Sequence, residues 1–561
     1  MMSVIGGSIK KQIFFSLGLF FSCSQLGAMC PQTVGPVSIA EGMFNILLRV
    51  AQAQNVIQSQ ICAIDCDCSL AITVTDVTVV CSTCTTGLLA DCIQFGQSDI
   101  GAGGVYIINS PGVYCMYQDA NWTAGTAITV NSNDVTIDMQ DHTLDGGNSG
   151  VSGIVINGGL RNITIKNGNI NNPTSACIAN NNSALTLQDL IIRDMNFNII
   201  NGALSHAGVV ITAPSSTDIA FANVLIEDCT GYNAFINLNP GASAVVRRCI
   251  LTIDLTGLAD ITISGPNPVG LGESFVVEDC ILKNIAHLTA PAGEALFSIR
   301  NTWAAVINNC ISYGSGGGGF SLNNCYNATV SNCVAQLGAD RGFTFTPGPG
   351  GFPPSQQAKL SVTGCIAQEC FYGFVVQNDT VGFASAVFKN CIAQANTQDG
   401  FWAHNSALGT FVPITCRNCE AEDNGNNGFH LGDAGLGFIT GWLLDCLAVN
   451  NGANGFFFDT STSMVIDMSI VGCQSNRNVN DGYLISATAM HNYFEECLAL
   501  ANGFNGFEDD SGGTSSNFYY GCRAFQNAGT NFATAGVAYP NQVTYNSLAF
   551  SPSDYGINLH T

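Results

Sequence analysis

Three groups of side chains recur at spacings that would allow chemistry. Glu227-Asp228, Arg247-Arg248 and Glu278-Asp279 each stand immediately before a cysteine. Carboxylates alternating with guanidinium groups suit calcium-assisted β-elimination, with Asp228, Arg248 and Asp279 as the candidate catalytic residues. The same alternation, stacked across neighbouring strands, is a ladder of ion pairs, and that structural reading is preferred. A second group follows a repeated Gly-Phe or Gly-Tyr dipeptide: Trp402 and His404, then His430, then Phe457 and Asp459, then Glu508 and Asp510. Aromatic faces beside carboxylates suit stacking against sugar rings and hydrogen bonding to hydroxyls, so these seven residues form the candidate binding face. Scattered exposed aromatics are also ordinary on protein surfaces. The third group is the cysteines, 25 in 561 residues. Many cysteines suggest metal or redox chemistry, but no histidine accompanies the regularly spaced ones. A stack of small apolar core residues explains them better.

The elements that position these residues come from a repeat. Cys391-Ala393-Asn396-Gly400-Phe401 recurs as Cys419-Ala421-Asn424-Gly428-Phe429 and as Cys446-Ala448-Asn451-Gly455-Phe456. Cys473-Ser475-Asn478-Gly482-Tyr483 and Cys497-Ala499-Asn502-Gly506-Phe507 follow, and Cys522-Ala524-Asn527-Asn531-Phe532 loses the glycine. Successive cysteines from Cys365 are 26, 28, 27, 27, 24 and 25 residues apart. Gly and Asn at fixed offsets break helices, and the runs of Val, Ile, Phe and Thr between them suit short strands. Three strands and three turns make one coil of a parallel β-solenoid, stacked at about 4.8 Å.

Alternation along a strand predicts which side chains face inward. Cys and the small residue two positions later share the inner face. The apolar residue three before the Cys, such as Ile226, Val330 or Phe494, and the Phe of Gly-Phe join them. The residue after the Cys (Ile250, Ile281, Ile311, Val334, Ile366, Ile392, Leu447, Leu498) tolerates Glu420, Gln474 and Arg523 and is placed outside. An outward Ile/Val/Leu stripe predicts contact with something, self-association included. The Asn ladder reads as a turn whose stacked amides bond one another.

The chain begins like an export signal: Lys10 and Lys11 precede the apolar run from Ile13 to Phe21, with cleavage expected after Ala28. Lipidation at Cys23 or Cys30 is the alternative, without a good preceding consensus. The expected destination is secreted, periplasmic or cell surface. Residues 29–104 are expected to form a cap. In it, Ile39, Met43, Leu47, Val50 and Ile57 mark one amphipathic helix over residues 37 to about 62. Cys62, Cys66, Cys68, Cys81, Cys84 and Cys92 follow. Behind an export signal they are expected to form disulfides rather than a zinc site. The solenoid is assigned to residues 105–550 and a tail to 551–561. No stretch after the signal is long and apolar enough to span a membrane.

The text "AITVNSNDVTIDMQDHTLDGG" (127–147) and "GIVINGGLRNITIKNGNI" (153–170) resembles the opening coils of right-handed parallel β-helix proteins. That superfamily includes pectate lyases, polygalacturonases and NosD-like periplasmic repeat proteins. The resemblance implies an all-β, single-stranded, right-handed parallel β-helix of about a dozen or more coils, and implies no particular activity. Enzymes of this kind place acids and bases on the outer face of one sheet. Their Gly-His-Gly, Trp-Ile-Asp-His, Arg-x-Pro-x-x-Arg and Asp-Pro-His elements do not occur here.

The net charge is −24, yet only 10% of residues are charged, and Lys plus Arg number 16. That balance argues against nucleic acid and anionic membranes, and against polyanionic glycans without a bridging cation. The expectation is an exported, non-catalytic binder of polysaccharide or of a cell-surface protein. It needs no cofactor, with Ca2+ only if an acidic polysaccharide is the target. A polysaccharide lyase or glycoside hydrolase with a non-standard site is the first alternative, and a structural or adhesive envelope protein the second.

Overall fold

A computed structural model describes residues 92–534 and two further strands at 542–544 and 548–550, with breaks at several loops, among them 200–206, 255–260, 286–294 and 348–357. Two compact units divide the chain, Met1–Cys92 and Ile93–Thr561, and the described residues other than Cys92 lie in the second. The expected leader, the capping helix over 37–62 and the cysteines from Cys62 to Cys84 lie outside the described residues. Cys92 and Cys115 are each disulfide-bonded. Strand pairing begins with Cys92–Phe95, ahead of the boundary expected at residue 105.

The architecture is a parallel β-solenoid with three strands per coil. Each strand pairs in parallel with its copies in the coils above and below. In one coil, Phe411–Arg417 lies in what we call sheet three, Glu420–Glu422 in sheet one and Phe429–Leu431 in sheet two. The small inward residues stay in register down sheet one, Ala393 to Ala421 to Ala448 to Ser475 to Ala499 to Ala524. The turn from sheet three to sheet one requires a left-handed residue just before the Cys. Asn390, Asn418 and Asp445 have φ of 53°, 51° and 52° there, and Gly364 and Gly472 replace them in other coils. Asn, Asp and Gly are the residues that tolerate this conformation.

The core contains the predicted stacks. Cys229 through Cys522 are buried and free, as are the small residues two positions on. Burial pushes the Cys325 and Cys370 thiols up to about 12, so these two stay protonated. Aromatic rings form a continuous column from Phe297 to Phe532, with centroids 4.5–4.9 Å apart and planes within 10°. The coil rise imposes this face-to-face spacing. Tyr483 enters the column because its hydroxyl donates to the Cys473 carbonyl at 2.7 Å. Glycine precedes the ring because a Cβ on Gly428 would lie 2.7 Å from the Gly455 carbonyl and 2.8 Å from Asn451 Nδ2.

The Asn ladder is a buried chain of amides. Asn424 donates through Nδ2 to Asn451 Oδ1 at 2.9 Å, Asn451 to Asn478 at 2.8 Å, and Asn478 to Asn502 at 3.0 Å. Each Nδ2 also donates to a carbonyl one coil away, as Asn451 does to Ala421 at 3.1 Å. A second ladder, not anticipated, runs through the residue before each glycine. Asn427 donates to Asp399, Asn454 to Asn427, and the Asp481 and Asn505 backbones to Asn454 and Asp481.

Candidate functional site

The outer face of sheet two carries the candidate binding residues. Successive coils align Trp402, His430, Phe457, Leu484 and Glu508 in one row. Tyr372, which sits one position before its own Gly-Phe, stacks on Trp402 at 4.9 Å and 25°. His430 lies 6.3 Å from Trp402 and 4.9 Å from Phe457, both near-parallel. His404 is tilted against Trp402 at 5.4 Å. Trp402 Nε1 donates to the Gly432 carbonyl at 3.3 Å, which fixes the indole edge. The Arg341 guanidinium lies 5.9 Å from the Trp402 ring centre, and its Nη1 donates to Gln377 at 2.6 Å. The result is a platform of half-buried flat rings across four coils, with one cation at its upper end.

His430 lies in this outward row but is largely enclosed. Its side chain is only 12% exposed and is held by Asp399, whose Oδ2 lies 3.0 Å from Nδ1. Asp459 Oδ2 lies 3.7 Å from Nε2 on the other side. Burial pulls the imidazole down, but the hydrogen bonds and charges of Asp399 and Asp459 outweigh it and push it up to about 9. Asp399 is itself buried and is oriented by Asn426 and by the backbone and side-chain amides of Asn427, all at 2.9 Å. The four residues before each glycine that continue this ladder fix Asp399 as a structural anchor for the site.

The lower end of the face is acidic. Glu508 accepts from Asn505 Nδ2 at 2.7 Å. Asp481, one coil before it, is pushed up to about 6 by burial and by the Glu508 charge. Asp510 is exposed and raised by partial burial and by the charges of Glu508 and Asp509. Asp509 points into the core, where Tyr519 donates to it at 2.8 Å. The consecutive aspartates therefore face opposite sides of the strand and do not act as a pair.

The structure places Asp228, Arg248 and Asp279 elsewhere, at the left-handed turn between sheets three and one, with φ of 55°, 53° and 55°. Arg248 binds Asp228 with Nε and Nη2, both at 2.7 Å, and reaches Glu227 at 2.8 Å. Arg247 completes the ladder to Glu227 at 2.6 Å. Hydrogen bonding to Asp228 raises the guanidinium further. Asp279 accepts from Asn309 at 3.1 Å. Among the described residues, no group of three or more His, Cys, Asp or Glu is arranged to hold a metal ion.

Asp399, Tyr372, Arg341 and Asp481 were missed from sequence. All four occupy one register position, the residue preceding the turn into sheet two or its equivalent, and the Asx-Gly-Phe text carried that signal for Asp399 and Asp481.

Residues 268–412 match a family model described as "Right handed beta helix region". A solved structure similar to this chain is the A-module of the mannuronan C-5 epimerase AlgE4 of Azotobacter vinelandii. The two are 11% identical, the match covers 81% of this chain and 98% of that one, and the TM-score is 0.21. No curated protein matches the sequence. Every described pairing of the stack is parallel with three strands in each coil, so the described residues fold as a parallel β-helix, of which residues 268–412 match the right-handed family model.

Proposed function

We propose that this β-helix is an exported protein that binds a carbohydrate chain along the outer face of sheet two and does not cleave it. The observation that carries this reading is the stacked row Tyr372, Trp402, His430 and Phe457, one ring per coil. Flat rings of this kind bind the C–H faces of sugars, and Asp459, Glu508 and Asp510 supply acceptors for hydroxyls. The surface charge favours a neutral glycan over an acidic one. The state of His430 supports a non-catalytic reading. Protonated at neutral pH and flanked by carboxylates at both nitrogens, it has no lone pair to take a proton from a sugar. Arg248, the other candidate, has its fork occupied by Asp228. Export rests on the basic, then apolar, opening of the sequence.

A panel of neutral and acidic oligosaccharides, read by tryptophan fluorescence and by ultraviolet absorbance of unsaturated products, tests the reading. Binding of a neutral oligosaccharide that Trp402→Ala weakens roughly tenfold or more is the expected result. Product release abolished by His430→Phe, or binding indifferent to Trp402→Ala, refutes it.

A further inference from the structure

The outer face of sheet one carries the aliphatic stripe, and it is continuous. Ile250, Ile281, Ile311, Val334, Ile366 and Ile392 follow one another in register through consecutive coils. Ile250 and Ile311 are 44% and 39% exposed, and the others are half-buried by their neighbours in the stack. Glu420 interrupts the row, Leu447 resumes it, and Gln474 interrupts it again before Leu498. A parallel row runs two residues along each strand: Thr252, Lys283, Tyr313, Gln336, Gln368, Gln394, Glu422 and Val449. Lys283 and Glu422 are its only charges over this span, and Lys283 is exposed.

The spacing of those charges is self-complementary. Rotation by 180° about an axis parallel to the strands, midway between the Val334 and Ile366 coils, lays sheet one against the same sheet of a second copy with the stacks antiparallel. Val334 then faces Ile366, Ile311 faces Ile392, and Ile250 faces Leu447. Ile281 and Lys283 face Glu420 and Glu422. Both copies make the same contact, as a two-fold interface requires. Shifting the register by one coil sets Lys283 against Gln394 or Val449 and Glu420 against Ile250 or Ile311, so one register is selected. Within one copy Glu422 accepts from the Gln394 amide at 3.3 Å, and burial and the charges of Asp423 and Glu420 raise its carboxyl.

We propose that the chain pairs with a second copy of itself through sheet one, in the antiparallel register that joins Lys283 of each copy to Glu420 and Glu422 of the other. The aliphatic row supplies the adhesion and the charges set the register. In a chain of net charge −24, a mostly apolar stripe whose lysine meets its glutamates is where two copies approach with little repulsion. The glycan face on sheet two is left open in both copies, so this pairing stands independently of the proposed function.

The test is the mass of the full chain in solution, by light scattering over a concentration series. The wild type is expected to be a dimer. Lys283→Glu places like charges together twice per dimer and is expected to raise the dissociation constant roughly tenfold or more. A chain with Glu420→Lys and Glu422→Lys is expected to dissociate likewise. Mixing the two variants restores opposite charges at both contacts, so a mixed dimer is expected to form where neither partner pairs alone. Recovery on mixing cannot come from misfolded chains. A wild-type chain that stays monomeric at the highest concentration reached overturns the proposal. So does a Lys283→Glu chain that dimerises as well as wild type, or a mixture that stays monomeric.

Discussion

The Asp399–His430–Asp459 arrangement makes a quantitative prediction about pH. The perturbation is His430→Phe, which keeps a flat ring between Trp402 and Phe457 and removes only the titrating group. In the folded chain the imidazole titrates at about 9 against 6.5 when free. A folded-state value raised above the unfolded one means the native state holds the extra proton between those limits. The stability it contributes is therefore complete below pH 6.5 and is lost as pH rises through about 9. At about 1.4 kcal/mol per unit, the ceiling is on the order of 3 kcal/mol. Solvent near the partly exposed Asp459 reduces it, to roughly half at the low end. Two assays read it. The chain has seven histidines, so the His430 resonance can be assigned by its disappearance in the variant, and its midpoint is expected near 9. Urea unfolding of both chains across the same pH range is expected to show the wild-type advantage shrinking as pH rises. A midpoint at or below 6.5, or a stability difference that does not change with pH, refutes the ion-pair description of the site.

The amide ladder predicts that Asn451→Leu destabilises by about 4 kcal/mol, because it strands the Asn424 amide donors and the Ala421 carbonyl in the core. Hydrogen exchange should show protection lost first in the coils of Asn424 and Asn478, the nearest neighbours in a one-dimensional stack. Cys325 and Cys370, held near 12 by burial, are expected to resist iodoacetamide at pH 8 in the native chain and to react fully in denaturant. At the left-handed turn, Arg248→Gly trades exposed ion pairs for a relaxed backbone and is expected to leave stability within about 1 kcal/mol. Arg248→Val loses both and costs more, read by the same urea series.

How much was legible in the sequence differs between the core and the surface. The Cys, Ala, Asn and Phe stacks follow from the repeat alone. Side chains at one register position meet only their copies, so identity across coils reports an inward, space-limited environment. The outward placement of Ile250 and Ile311 followed from their tolerance of Glu420 and Arg523 at the same position, and it holds. Alternation along the strand likewise set Trp402 and Phe457 on one face. Tertiary structure decided the contacts between unlike positions. Asp399 reaches His430 of the following coil across a corner, a diagonal contact that in-register comparison does not reveal. Tyr372 and Arg341 occupy the Asp399 position in earlier coils without resembling it, yet they complete the platform around Trp402. The split of Asp509 from Asp510 and the closure of Arg248 onto Asp228 are of the same kind. A one-dimensional repeat determines which residues stack. The folding of each corner determines which neighbouring rows touch, and that is where charge, proton affinity and the shape of the binding face are set.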